Sequence, residues 1–218
     1  MILPTTPQEP NLVPQAFNWL VLSASDGLGK SSLLGSIPRL LIADPDYSCK
    51  ALPMDYEPVN LANWRDCLEL LRLLKGKTHE ELSQTYSGLG IDNLNIFHDL
   101  LFEDFVKREK HPGDANDMGK TWNKLTKEYI YWLRDMRRAM PGLFIATAHS
   151  NIIEIKIKNQ PFNRYVPAIP GGGPRGAYRQ TMEGFDIVGF MTKEVETAVA
   201  PPKDARADTL ALQVTQSG

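Results

Sequence analysis

Cysteine is scarce in this sequence, and long apolar segments are missing. The two cysteines, Cys49 and Cys67, follow neither the spacing of a metal site nor that of a disulfide framework, which predicts reduced thiols. No apolar run approaches the length of a membrane span, and residues 1–15 are too rich in proline for a signal peptide. These absences predict a cytoplasmic protein with no membrane segment and no membrane partner.

An excess of charge of one sign is also lacking, since 24 Lys and Arg residues are balanced by 26 Asp and Glu residues. A protein that binds nucleic acid through an overall basic field is therefore excluded, and any such binding requires local patches. The chain has no internal repeat. Its 218 residues, of which 42% are hydrophobic and 23% charged, are typical of a folded protein with one sizeable domain or two small ones.

Short apolar runs alternate with segments of helical periodicity along the chain. Strands are predicted at residues 17–23, 40–43, 89–91, 143–148, 153–158 and 185–190, and helices at residues 30–37, 61–75, 98–110 and 121–140. This alternation favours an α/β fold in which helices cover a mainly parallel central sheet. We divide the chain into an extended N-terminal arm at residues 1–15, a core at 16–200, and a tail at 201–218 that contains a short edge strand.

The segment SASDGLGKSS, residues 23–32, follows the first predicted strand and leads into the first predicted helix. A loop that cradles phosphate groups needs backbone N–H groups that point inward, and glycines at 27 and 29 remove the side chains that would obstruct them. Lys30 offers a cation to the β- and γ-phosphates, and the Ser31 hydroxyl is a ligand for Mg²⁺. The predicted nucleotide-binding residues are Ser25, Asp26, Gly27, Leu28, Gly29, Lys30, Ser31 and Ser32.

One position departs from the strict pattern of such loops, G-x-x-x-x-G-K-[ST], because residue 24 is alanine rather than glycine. Alanine is the smallest replacement, so we expect the loop to remain intact if Ala24 keeps a negative φ. The alternative is a plain glycine-rich turn with an exposed lysine. The apolar strand before the segment and the helix after it favour the phosphate loop.

A phosphate loop requires a carboxylate on a neighbouring strand end to help hold Mg²⁺, and Asp92, directly after the strand at 89–91, is the best candidate. The alternative for Asp92 is a turn or helix-cap residue. Hydrolysis also needs a group that orients or deprotonates the attacking water, and Asp44 and Asp46 both follow the strand at 40–43. Either is able to take this role, and the alternative is an Asp-Pro-Asp turn.

His149 follows the predicted strand at 143–148, at the edge where parallel sheets bind their ligands. A polar side chain in this position is able to sense the γ-phosphate and to report hydrolysis to the segment that follows. The alternative is that His149 only provides hydrogen bonds to polar groups at the end of the strand.

The order of these motifs resembles the RecA-like P-loop ATPases, and within them the small phage-encoded ATPases related to single-strand annealing and recombination proteins. The matching segments are VLSASDGLGKSSL, LLIADPDYSCKAL, YSGLGIDNLNIF, MGKTWNKLTKEY, LFIATAHS and VPAIPGGGPRGAY with GFDIVGFMTKEV, which together extend over residues 17–195. The resemblance implies a three-layer α/β sandwich, ATP and Mg²⁺ as ligands, and a place in the cytoplasm of the host cell.

The resemblance also implies roles for single residues. It implies that Lys30 and Ser31 contact the phosphates and the metal, that Asp92 is the second metal-site carboxylate, and that His149 is the sensor. The family carries a catalytic glutamate just after the second core strand, where this chain has Asp46, one methylene shorter. The predicted catalytic residues are therefore Asp46, Lys30 and His149, and the predicted metal ligands are Ser31 and Asp92.

Single-stranded DNA is the partner that the resemblance implies, bound by the segment after the sensor strand. Cations and tyrosines alternate there, a composition suited to following a phosphate backbone and stacking on bases. Relatives often form rings or filaments in which a neighbour supplies a cation, so a homo-oligomer is implied, and a single-strand-binding protein is a candidate partner. The candidate residues for DNA or for action in a neighbour are Lys156, Lys158, Arg175, Tyr178, Arg179 and Lys193. The alternative is a solvated strand face and a mobile loop.

Two other functions use the same phosphate loop. A nucleotide or nucleoside kinase would add an arginine-rich lid and a second substrate pocket, and the segment with Arg175 and Arg179 is the one candidate for such a lid. A binding module would hold ATP as a switch with little hydrolysis, which the aspartate in place of glutamate favours.

Overall fold

The computed structural model describes residues 13–109, 119–157, 160–171, 176–194 and 209–215. The strands are β1 (Asn18–Ser23), β2 (Leu40–Ala43), β3 (Gly88–Ile91), β4 (Leu143–Ile157), β5 (Gln160–Pro167), β6 (Ile187–Glu194) and β7 (Thr209–Thr215). The helices are α1 (Lys30–Gly35), α2 (Trp64–Lys75), α3 (His79–Thr85), α4 (Leu94–Arg108), α5 (Lys120–Ala139) and α6 (Ala177–Glu183), with a 3₁₀ turn at Pro14–Ala16. Of the predicted arm, residues 1–12 lie outside the described residues.

The strands form one sheet in the order β2-β3-β4-β1-β6-β7, and β5 pairs only with the far part of β4. β2, β3, β4, β1 and β6 are mutually parallel, while β7 and β5 are antiparallel to their neighbours. The carboxyl ends of β1 and β3 therefore lie at the same edge of the sheet, with β4 between them. This edge is where open parallel sheets bind ligands.

Alternate residues of the central strands pack into two separate cores, one on each face of the sheet. On β1, Leu20 and Leu22 pack with α2, α4 and α5, whereas Val21 packs with Leu34 of α1 on the other face. Because successive side chains of a strand point to opposite faces, the helices must lie on both sides of the sheet. The arrangement is the predicted three-layer α/β sandwich.

The core on the α2, α4 and α5 side is built around aromatic rings. Trp132 of α5 lies 5.2 Å from Trp64 and 4.9 Å from Phe97 between ring centroids, and all three side chains are buried. Such pairs contribute about 0.5–1.5 kcal/mol each beyond their buried area. They fix α4, which begins two residues after Asp92, against the sheet.

The structure corrects the prediction of two strands at 143–148 and 153–158, because both belong to β4. The chain passes through His149 without a break, since the His149 N–H donates to Asn95 Oδ1 at 2.7 Å and the His149 carbonyl accepts from Ala168 N–H at 2.7 Å. Beyond that point β4 leaves the sheet and pairs with β5 as an antiparallel hairpin. We call β4 from Asn151 onward and β5 the hairpin.

Two helices were not predicted. α3 begins with a capping box, in which Thr78 accepts from the Glu81 N–H and Glu81 reaches back to the N–H of Thr78. α6 covers residues 177–183, a segment for which the sequence predicted no helix. Tyr178 and Arg179 are therefore held on a helix. Among the described helices, none combines the length and the apolar character needed to cross a bilayer.

Candidate active site

The predicted phosphate loop lies between the end of β1 at Ser23 and the start of α1 at Lys30. Gly27 and Gly29 have φ angles of 72° and 90°, in the left-handed region that favours glycine. No side chain caps the start of α1, so its first N–H groups remain available to an anion. Ala24 is not among the non-glycine residues with positive φ, which meets the condition that the sequence set for an intact loop.

Lys30 is buried where this loop meets α1. Its Nζ lies 3.3 Å from Ser23 Oγ and 3.5 Å from Nδ1 of His149. Burial lowers the pKa of the Lys30 ammonium, and the nearby carboxylates of Asp26, Asp92 and Asp46 oppose this effect. The ammonium is thus partly desolvated and lies where an added anion would stabilise its charge.

Asp92 and Ser31 meet at the carboxyl edge of the sheet, as the sequence predicted for a metal site. Ser31 Oγ donates to Asp92 Oδ2 at 2.5 Å, and Thr147 of the intervening β4 donates to Asp92 Oδ1. Only 1% of Asp92 is exposed. The buried carboxylate is therefore satisfied by hydroxyl donors that α1 and β4 bring to it.

Asp44 and Asp46 take different positions, which the sequence did not distinguish. Asp44 is fully buried and accepts from the backbone N–H groups of Ser48 at 3.2 Å and Cys49 at 2.7 Å. Burial, with a hydrogen bond to Asp46, raises the pKa of Asp44 to about 6. Asp46 is exposed and lines the cavity beside Lys30. The geometry therefore favours Asp46 as the carboxylate that reaches a ligand.

His149 connects three parts of the site. Besides Lys30 on Nδ1, its Nε2 lies 3.5 Å from Asn93 Nδ2 and 3.4 Å from Asp26 Oδ1. It pairs in register with Ser23 at the end of β1, which brings it level with the phosphate loop. The predicted sensor residue thus contacts both the loop and the segment that follows Asp92.

These side chains surround one cavity of about 350 Å³, within the size range of small-molecule sites. Its lining consists of Asp26, Gly27, Gly29, Lys30, Ser31, Ser32, Asp46, Ser48, Leu52, Asp92, Asn93 and His149. Of the predicted nucleotide-binding residues, Ser25 and Leu28 do not line it. All five predicted catalytic and metal-binding residues do.

The donors in the cavity suit Mg²⁺. In the described part of the chain, no three His, Cys, Asp or Glu residues cluster as a metal site. Instead, Ser31 and Ser48 provide hydroxyl oxygens next to the Asp92 carboxylate. Mg²⁺ prefers oxygen ligands and is usually held by one or two protein groups together with substrate phosphates. The residues therefore fit a magnesium ion that is shared with a polyphosphate.

Sequence reasoning missed Ser48, Asn93, Asn95 and Thr147 at this site. Asn93 gave a signal, because an asparagine before a helix is a typical N-cap, and its side chain accepts from the Ile96 N–H. The others are hydroxyl or amide side chains that the fold brings in from separate elements. Cys49, also close to Asp92, is a free buried thiol whose pKa is raised mainly by burial.

The residues predicted to bind DNA are not brought together as one patch. Tyr178 and Arg179 of α6 face the hairpin across a cavity of about 540 Å³, which we call the hairpin groove; it is lined by Ile153, Ile155, Arg164, Val166, Tyr178, Arg179, Met182, Glu183 and Phe185. Lys156 alternates with Ile155 along β4 and so points to the opposite face of the hairpin. Lys193 lies on β6 and does not line the groove. Lys158 and Arg175 lie outside the described residues.

A comparison with protein families agrees with the geometry of the phosphate loop. A family model described as an AAA domain, AAA_24, matches residues 17–217, which is almost the whole chain. A search of curated proteins found no match. Together with the mainly parallel sheet and its helices, the family match confirms the predicted α/β P-loop NTPase fold. The chain belongs to this AAA domain family and is a nucleotide-binding P-loop ATPase.

Proposed function

We propose that the protein is a Mg²⁺-dependent ATPase that acts on single-stranded DNA during phage recombination or replication. The observation that carries the proposal is the meeting of Lys30, Ser31 and Asp92 in one cavity whose lining includes a residue of the long strand β4. The first part of β4 contributes His149 to the cavity, and its far part forms the hairpin.

The side chains of the cavity have complementary tasks in hydrolysis. Lys30 and the loop amides bind the β- and γ-phosphates, and Ser31 with Asp92 would hold Mg²⁺. When bound there, the ion neutralises charge that develops on the phosphate oxygens. Asp46 orients the attacking water and accepts its proton. His149, next to the Lys30 ammonium, contacts the γ-phosphate and detects its loss.

The hairpin groove supports a single-stranded nucleic acid as the partner. Phe162 and Arg164 are two residues apart on β5 and so share one face of the hairpin, where 45% of Phe162 is exposed. Across the groove, α6 adds Tyr178 and Arg179, the latter paired with Glu183 at 2.9 Å. Aromatic rings next to guanidinium groups suit a strand that is bound by base stacking and phosphate contacts.

Oligomerisation and further partners complete the proposal. In a homo-oligomer, Arg179 or Lys193 of one subunit supplies a cation to the γ-phosphate bound by its neighbour. The second partner that we propose is a single-strand-binding protein, because it would bind the same DNA. The expected place of action is the cytoplasm of the host cell.

The test is the rate of phosphate release from ATP, with and without an oligo-deoxythymidine strand, together with the mass of the protein in solution with ATP. We expect Mg²⁺-dependent hydrolysis that rises several-fold with DNA. Lys30→Ala should abolish ATP binding, whereas Lys127→Ala, which removes an exposed lysine on α5, should have no effect. Full ATP affinity in Lys30→Ala would contradict the proposal. ATP binding without a response to DNA would favour a switch module or a kinase instead.

A further inference from the structure

Ser48 lies beside the two residues that are predicted to hold Mg²⁺. Its Oγ donates to Asp92 Oδ2 at 2.9 Å and lies 3.1 Å from Ser31 Oγ. Ser31 Oγ and Asp92 Oδ2 are 2.5 Å apart. Three oxygens from three different segments of the chain therefore form a small triangle on the wall of the cavity.

The distances between these three oxygens can be compared with the spacing of oxygen ligands around a magnesium ion. Mg²⁺ binds oxygen at about 2.0–2.1 Å in an octahedron, so neighbouring ligand oxygens lie about 3 Å apart. All three pairs of oxygens are hydrogen-bonded, and two of the three distances, 2.9 and 3.1 Å, are also close to the spacing of neighbouring magnesium ligands, while the Ser31–Asp92 distance is shorter. We infer that Ser48 is a third protein oxygen of the magnesium site, beside Ser31 and Asp92. This inference rests on the proposed Mg²⁺-dependent function.

The turn that carries Ser48 is held in place by Asp44. Both carboxylate oxygens of Asp44 are used, one by the Ser48 N–H and the other by the Cys49 N–H. The preceding residue, Tyr47, has a φ of 59°, a conformation that is uncommon for a non-glycine residue. The hydrogen bonds of Asp44 thus stabilise a turn with an uncommon backbone conformation and hold Ser48 at the cavity. Asp44 therefore acts as a positioning residue.

The same turn carries Asp46, whose Oδ1 accepts from the Ser48 N–H at 3.3 Å. The proposed metal ligand and the proposed water-activating carboxylate are therefore two residues apart on one hydrogen-bonded turn. A hydroxyl that only satisfies Asp92 would have no effect specific to the metal. A hydroxyl that serves the metal site must affect the dependence of nucleotide binding on Mg²⁺.

The experiment measures the affinity for a fluorescent ATP analogue as MgCl₂ is varied, and again in EDTA, for the full-length protein. In Ser48→Ala, we expect about a tenfold higher Mg²⁺ requirement, a loss typical of weakened metal sites, and unchanged affinity in EDTA. Ser48→Thr keeps the hydroxyl and should restore the wild-type Mg²⁺ dependence. Ser83→Ala removes an exposed hydroxyl on α3 and is the matched control.

Each other outcome overturns the inference. An unchanged Mg²⁺ requirement in Ser48→Ala would show that the hydroxyl is not part of the metal site. An equal loss of affinity with Mg²⁺ and in EDTA would assign Ser48 to the loop structure instead, and a lowered melting temperature would accompany it. If the affinity of the wild-type protein for the analogue is high in EDTA and does not change with Mg²⁺, the proposed Mg²⁺-dependent function fails as well. This result in the wild type distinguishes a failure of the proposed function from a failure of the Ser48 inference alone.

Discussion

Nζ of Lys30 lies 3.5 Å from Nδ1 of His149, so the cation of the phosphate loop and a side chain of β4 meet in one cavity. β4 continues from His149 into the hairpin without interruption. The side chain of Asn95 accepts a hydrogen bond from the His149 N–H and donates one to the carbonyl of Ala168, which follows β5. The covalent continuity of β4 and the two hydrogen bonds of Asn95 therefore connect the cavity beside Lys30 to the hairpin.

Replacing His149 with alanine should separate binding from turnover. Because we propose that Lys30 and the loop amides hold the phosphates, we expect the dissociation constant for ATP to change less than about threefold. Because the proposed sensor contact is lost, we expect kcat to fall by about 10–100-fold and the proposed stimulation by DNA to disappear. Calorimetry gives the first quantity and phosphate release the second. His79→Ala, which changes an exposed histidine on α3, is the control, and a fall in affinity that matches the fall in kcat would refute the sensor role.

Asp46→Asn should abolish hydrolysis while ATP binding persists. The side chain lines the cavity, and the variant lacks the carboxylate that we propose to accept a proton from water, a contribution of about 10²–10⁴-fold in rate. Asp46→Glu should keep the activity, since it restores the carboxylate one methylene further out. Single-turnover hydrolysis of bound ATP is the measurement. Wild-type rates in Asp46→Asn would transfer the role to another group.

Phe162→Ala tests, as the DNA site, the face of the hairpin on which Phe162 lies beside Arg164 of the hairpin groove. Stacking of a base on an aromatic ring is worth about 1–3 kcal/mol, so the affinity for single-stranded DNA should fall by about 5–100-fold at fixed salt. ATP binding should not change, because Phe162 does not line the nucleotide cavity. Anisotropy of a labelled oligonucleotide measures the effect. Tyr131→Ala removes a ring of similar exposure on α5 and is the matched control, and an equal loss in both variants would argue against the groove.

The parts of the fold that short apolar runs determine were predictable from the sequence. β2, at 40–43, and the buried strand that ends before Asp92 consist of contiguous local signals, and the phosphate loop between β1 and α1 is another. β5 was missed because its segment, QPFNRYVP, is polar and contains proline, and it becomes a strand only by pairing with a distant part of β4. No local pattern specifies that pairing.

The site shows the same division between local and non-local information. Lys30, Ser31 and Asp92 follow strands at positions that the motif specifies. Asp44 and Asp46 follow the same strand, and only the folded turn distinguishes them, because Asp44 is buried and accepts from the backbone N–H groups of Ser48 and Cys49. Ser48 was not identifiable from the sequence because serine is a common residue. Its proposed role depends on its contact with Asp92, which lies 44 residues away in the chain.

Gly88→Ala should destabilise the fold at the base of the sheet. A Cβ at Gly88 would overlap the carbonyl oxygen of Leu143 on the neighbouring strand, and that backbone cannot move away without breaking the β3–β4 pairing. We expect a loss of about 1–3 kcal/mol or more in the free energy of unfolding, measured with urea. Gly76→Ala, where the Cβ would have ordinary contacts after α2, is the control and should change stability by less than about 1 kcal/mol. Equal stability of the two variants would contradict the predicted overlap.

Asp44 should give the stability a pH dependence of unusual sign. Burial raises its pKa from 3.8 to about 6, so between these values the folded protein binds more protons than the unfolded chain. The contribution of this carboxyl to stability is therefore greatest below about pH 4 and declines as the pH rises through 6. We expect the free energy of unfolding of the wild type, relative to Asp44→Asn, to fall by on the order of 2 kcal/mol from pH 4 to pH 7.5. Urea titrations of both proteins measure this difference, and a difference that rises or stays constant would show that Asp44 is ionised in the folded state throughout.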